Sequence, residues 1–224
     1  AVSAGNSYCE HVTLLNNRKL ALFRAMVRHG EYIAGLADVS CNEDLLCFRR
    51  LRLIDFDDLA SGWGPGIEVE DVLPLNGASF GEHFAGQLVE DADSFDHITG
   101  PAFQPLTLMA GAEGQNLSVV NFSGNTVING WGKAGFPKRD AQGEGAIAVL
   151  FDEDQSALAF DLRGGEAGAA FVTFLRRDGG VIGVVPVEPT GEFAVGFVRA
   201  QGQEDIAGFV ITNRDPQGLA IDTL

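Results

Sequence analysis

Ala157-Leu158-Ala159-Phe160-Asp161-Leu162 carries its larger apolar side chains on every second residue. In an extended strand alternate side chains share a face, so Leu158, Phe160 and Leu162 line one side. Further along, Phe171-Val172-Thr173-Phe174-Leu175 is apolar on both faces, as in a strand covered on two sides. Arg177-Asp178-Gly179-Gly180 follows, and Asp-Gly tolerates the positive φ that a tight hairpin turn demands. A two-residue period punctuated by hairpin turns is a β signature, and it decides the fold class.

The same pattern extends in both directions from this stretch. Strands are predicted at residues 79–84, 106–110, 117–122, 146–151, 157–162, 169–175, 181–187, 192–198, 206–212 and 219–224. Glycine-rich turns separate them, and no long helical pattern lies between them. Some ten short strands of this kind predict an all-β domain, an antiparallel β-sandwich, over residues 53–224. Residues 60–105, with Pro65, Pro74, Pro101 and Pro105, are rich in loop signals.

Residues 1–52 differ in charge. They hold seven Lys and Arg against five acids (+2), while the remainder holds eight against 26 (−18), for −16 over 224 residues. From 16 to 37 the apolar residues Leu22, Met26, Ile33 and Leu36 keep helical spacing, which predicts a short, basic, helical N-terminal extension. It would pack on the main domain or dock to a partner or an anionic membrane surface. So negative a chain argues against nucleic-acid binding. No apolar run reaches the roughly 18 residues of a transmembrane span, so membrane association would come only through a partner or this helix.

Three cysteines sit at Cys9, Cys41 and Cys47. Cys41 and Cys47 would close a small disulfide loop in an oxidising compartment, Cys9 could instead pair with either, and free buried thiols are the plain alternative. An acidic, glycine-rich, lysine-poor β chain points to an exported protein, and the small residues of Ala1-Val2-Ser3-Ala4-Gly5 suit a signal-peptidase site.

Four places carry a resemblance. They are Leu53-Ile54-Asp55-Phe56-Asp57-Asp58-Leu59, the two strands and acidic turn of 146–162, the hairpin of 171–182, and the closing pair 206–210 and 218–224. Together they resemble secreted bacterial jelly-roll-like sandwich domains of the kind found upstream of PEP-CTERM sorting signals. The resemblance implies a jelly-roll-like fold, export to the periplasm, cell surface or medium, and a structural calcium ion where first and last strands meet. Calcium takes six to eight hard oxygen ligands, and Asp55, Asp57 and Asp222 are the carboxylates expected to hold it. Asp152, Glu153 and Asp154 read as a plain acidic turn.

Catalytic signals are few. Arg28-His29-Gly30-Glu31 resembles the histidine-phosphatase signature, but it sits in a helical pattern, and the four histidines (His11, His29, His83, His97) leave none after residue 97 for the second histidine that chemistry needs. No Gly-x-Ser-x-Gly elbow occurs. His83 and His97, with Glu82, Asp91, Asp93 and Asp96 nearby, could form a metal site or be isolated surface residues. Trp63 and Trp131 each lie between glycines, which reads as loop; an indole on a loop can stack on a sugar or anchor a protein, and the plain alternative is an indole folded back as a lid over the sandwich end. Asn129 and Lys133 would supply polar contacts beside Trp131. The expected object is a non-catalytic exported module for adhesion or carbohydrate recognition. The alternatives are an accessory subunit of a cell-envelope assembly, docked to a protein partner through its helix, and an unrecognised hydrolase.

Overall fold

In the order they leave the chain, the strands are β1 (Val12–Leu14), β2 (Ile67–Val69), β3 (Leu73–Leu75), β4 (Ala78–Gly81), β5 (His83–Phe84), β6 (Leu88–Ala92), β7 (Phe95–Thr99), β8 (Leu108–Met109) and β9 (Leu117–Phe122). They continue as β10 (Asn125–Trp131), β11 (Gln142–Gly145), β12 (Ile147–Gln155), β13 (Ala157–Gly164), β14 (Ala170–Leu175), β15 (Val181–Val187), β16 (Phe193–Arg199), β17 (Ile206–Asn213) and β18 (Leu219–Asp222). The computed structural model describes residues 12–14 and 52–224, apart from 76, 123, 166, 200 and 201. Within these the protein is all-β, with antiparallel pairing between its strands, and the only named helical element is a single 3-10 turn, Arg139–Ala141. The predicted N-terminal helix over 16–37 and the cysteines Cys41 and Cys47 lie outside the described residues. No helix among the described residues is long and apolar enough to cross a membrane.

Two sheets do most of the work. One has eight strands, in the order β1-β16-β13-β18-β10-β9-β2 with β11 on β10, and the other has six, in the order β15-β14-β17-β12-β4-β3. Strand alternation fixes what each sheet turns inward. On β13, Leu158, Phe160 and Leu162 are buried, while Asp161 and Arg163 between and beyond them face out. They meet Val149, Val172, Phe174, Phe209 and Ile211 of the other sheet in one core. The rings cross from sheet to sheet: Phe160 stacks on Phe209 at 5.6 Å, and Phe174 meets Phe197 at 5.0 Å. Each such ring, withdrawn from water, contributes roughly 1.5–3 kcal/mol.

The six-stranded sheet is apolar on its outer side as well. Ala148, Leu175, Ala207 and Val210 pack there under Phe84, Leu106 and Leu108, with Ile98 and Ala102 beside them. The covering residues come from the insertion between β4 and β9, which includes the small ribbons β5-β8 and β6-β7. This explains why 171–175 is apolar on both faces, as its sequence indicates.

Strand β10 runs where the sequence suggests loop. Asn125, Asn129, Gly130 and Gly132 are poor strand formers, yet β10 is central in its sheet and pairs with β9, β11 and β18. Gly130 is needed for close approach: a Cβ there would stand 2.5 Å from the Ala146 carbonyl oxygen and 2.6 Å from Gly145 of the facing strand.

Candidate functional site

Among the described residues, no insertion like that between β4 and β9 covers the outer face of the eight-stranded sheet. Its outward positions mix small, polar and apolar residues: Ala159 and Arg163 on β13, Ala220 on β18, Val127 and Asn129 on β10, Val120 and Phe122 on β9. An open groove of about 580 Å³ lies over them, with Trp63, Phe122, Asn129, Arg139, Gln142, Arg163, Glu192 and Gln217 on its walls and floor.

Trp63 is 76% exposed, and Phe122, which also lines the groove, is 48% exposed. The backbone around the indole is fixed. Asn121 N–H donates to the Gly62 carbonyl at 2.9 Å, and the Gln142 side-chain amide donates to Gly64 O at 3.2 Å. Gly66, at φ +83°, turns the chain back so tightly that any Cβ would collide with the Val119 carbonyl oxygen. The groove therefore presents an aromatic plane on a rigid support, which saves the ordering cost of binding.

The floor is polar and internally paired. Asn129 is buried, accepts from the Ser118 hydroxyl at 3.1 Å, and lies beside Ala220 of β18. The turn that walls the groove beyond β17 is held by buried Asp215, which accepts from Thr190 Oγ1 and from Gln217 N. Asn213 Nδ2 ties the same turn to Gly143 O at 2.8 Å. Arg163 reaches Glu192 at 3.7 Å and Asp222 at 3.6 Å, with its Nε buried and without a hydrogen-bond partner.

The residues nominated from sequence fall in different places. Trp63 and Asn129 share the groove. Trp131 does not join them: the loop expected there is the end of β10, and the indole is fully buried against Phe136, ring centres 5.1 Å apart. Its flanking glycines serve sheet contacts, which is why they mimic a loop signal. Lys133 is exposed and pairs with Asp91 at 2.9 Å, holding that carboxyl below its ordinary range. The first and last segments do meet, since Ile54 and Leu224 exchange two backbone hydrogen bonds at 2.7 and 2.8 Å. Asp55 and Asp57 beside this pair are exposed, while Asp222 is buried next to Arg163 and accepts from the Thr223 hydroxyl. Among the described residues no group of three or more His, Cys, Asp or Glu is placed to hold a metal ion.

Sequence reading missed Phe122, Arg139, Gln142 and Arg163. Only Arg163 left a trace, as the next outward residue after Ala157, Ala159 and Asp161. Outside the groove, Asp96 on β7 is buried and accepts from Ala146 N–H at 2.9 Å. Burial lifts its pKa to about 7, with Glu82 and Asp91 adding repulsion and the Ala146 N–H and His83 opposing it.

Comparison of the chain with known protein families, with curated proteins and with solved structures finds no match.

Proposed function

We propose that this chain is an exported jelly-roll sandwich that binds carbohydrate, without cleaving it, in the groove over its eight-stranded sheet. The strand order supports the jelly-roll reading. From β10 onward, leaving aside β11, the chain contributes β10-β18-β13-β16 to one sheet and β12-β17-β14-β15 to the other, an eight-strand, double Greek-key pattern. Export rests on the acidic, glycine-rich, lysine-poor composition.

The observation that carries the binding reading is the exposed Trp63, on a hydrogen-bonded backbone and sharing an open groove with Phe122 and with amide and guanidinium groups. A pyranose offers an apolar C–H face to an aromatic plane and hydroxyls to polar neighbours. Among the described residues of the lining, Glu192 is the carboxylate, whereas glycoside hydrolysis uses a pair. Binding to a glycan array, lost in Trp63→Ala at unchanged folding, is the expected result. An array blank with wild-type protein, or binding untouched by Trp63→Ala, would remove the reading. A calcium brace at Asp55, Asp57 and Asp222 is the reading we set aside: Ile54 and Leu224 pair nearby, but Asp55 and Asp57 are exposed. Arg163 beside Asp222 already supplies positive charge there.

A further inference from the structure

Resting on the carbohydrate reading of the groove, we propose that the ligand is a glycan bearing carboxylated sugars spaced by neutral ones, its carboxylate held by Arg139. The reasoning starts from charge. The chain has 31 acids against 15 Lys and Arg, so a cation finds a carboxylate easily. Six of the nine described lysines and arginines do so: Arg52, Lys133, Arg163, Arg176, Arg177 and Arg199. Arg139 makes no ion pair among the described residues, is exposed, and lines the groove.

Its position suits the chemistry. Arg139 opens the 3-10 turn that runs into Gln142, and the Gln142 amide reaches the carbonyl of Gly64, next to Trp63. Cation and indole thus stand on neighbouring rims joined by one hydrogen bond. A uronic acid stacked on the indole projects its carboxyl from the ring edge, and a guanidinium fork accepts a carboxylate in bidentate fashion. Arg163 adds a second positive group in the same groove, its carboxylate contacts at 3.6 and 3.7 Å being longer than hydrogen bonds. The net charge of −16 sets the spacing. A dense polyanion would bring many like charges within the roughly 8 Å Debye length of physiological salt, whereas one acid among neutral sugars meets mainly the local cation.

The test is an array that pairs uronic-acid oligosaccharides with their methyl esters, followed by calorimetry on the best pair and on polygalacturonate. Wild-type protein should bind the single-acid oligosaccharide about tenfold more tightly than its ester, and polygalacturonate more weakly than either. Arg139→Ala should weaken binding of the acid at least about fivefold more than binding of the ester, and an unchanged acid-to-ester ratio in this variant overturns the assignment to Arg139. Equal wild-type affinity for acid and ester overturns the carboxylate inference while glycan binding stands. Polygalacturonate binding at least as tight as the single acid overturns the spacing. No binding to any of these probes overturns the inference and the carbohydrate reading beneath it.

Discussion

The two outer faces of this protein are built to opposite rules. The six-stranded sheet turns Ala148, Leu175, Ala207 and Val210 outward and buries them under the insertion between β4 and β9. The eight-stranded sheet turns out a mixture of small, polar and apolar residues, and an open groove lined by Trp63 and Phe122 lies over it. A face that is apolar requires a cover; a face that is polar can be left to recognise something. The difference accounts for the cover on one side, and the proposed binding uses the other.

The largest expected effect lies between the sheets. Phe209 touches the rings of Phe151, Phe160 and Phe174, so Phe209→Ala should cost about 3–5 kcal/mol, read as a fall in the denaturant midpoint. A cost under about 1 kcal/mol would mean that the two sheets do not share a core. Under the insertion, Leu106→Ala should cost about 2–3 kcal/mol. A negligible loss there would make the cover dispensable and dissolve the contrast between the faces.

Asp96 tests the cover by pH. Its folded pKa of about 7 lies above the unfolded value near 4, so the folded state holds an extra proton between these limits. Its contribution is therefore full below about pH 4 and is lost as pH rises through about 7. Asp96→Asn keeps an acceptor for the Ala146 N–H and never charges. It should match wild type at pH 4 and exceed it at pH 8 by up to about 4 kcal/mol, the worth of a shift from about 4 to about 7, seen as a higher Tm. Identical pH profiles for the two proteins would place Asp96 in a solvated site.

The groove responds differently. Trp63→Ala should shift stability by less than about 0.5 kcal/mol, as expected for an exposed residue, yet weaken glycan binding at least tenfold. Smallest of all is the effect of a calcium chelator: with Arg163 beside Asp222, Tm should move by less than about 1 °C. A shift of 5 °C or more would install the metal brace at Asp55, Asp57 and Asp222.

Much of this was legible in the residues. Strands β9 and β15 begin and end where alternation and turn signals put them, and β13, β14, β16 and β17 differ from prediction by a residue or two. The doubly apolar run at 171–175 announced the buried outer face. Strand β10 was hidden because Asn129 and Gly130 carry loop propensity, and their reason for being there, a facing backbone, is a tertiary fact. The ribbon β6-β7 was hidden because Glu90, Asp91 and Asp96 break its apolar pattern. Trp63 and Asn129 were nominated from glycine context and polarity. Arg139 could not be, since its importance lies in the absence of a partner, which no local pattern encodes.

The two tryptophans report the contrast directly, because one is 76% exposed and the other fully buried. Iodide quenching of tryptophan fluorescence, with and without the glycan selected on the array, addresses the binding face itself. One accessible and one protected indole are expected in the free protein, with the accessible one becoming protected as ligand saturates. Full saturation with the accessible indole still quenched as in the free protein would show that the ligand sits elsewhere.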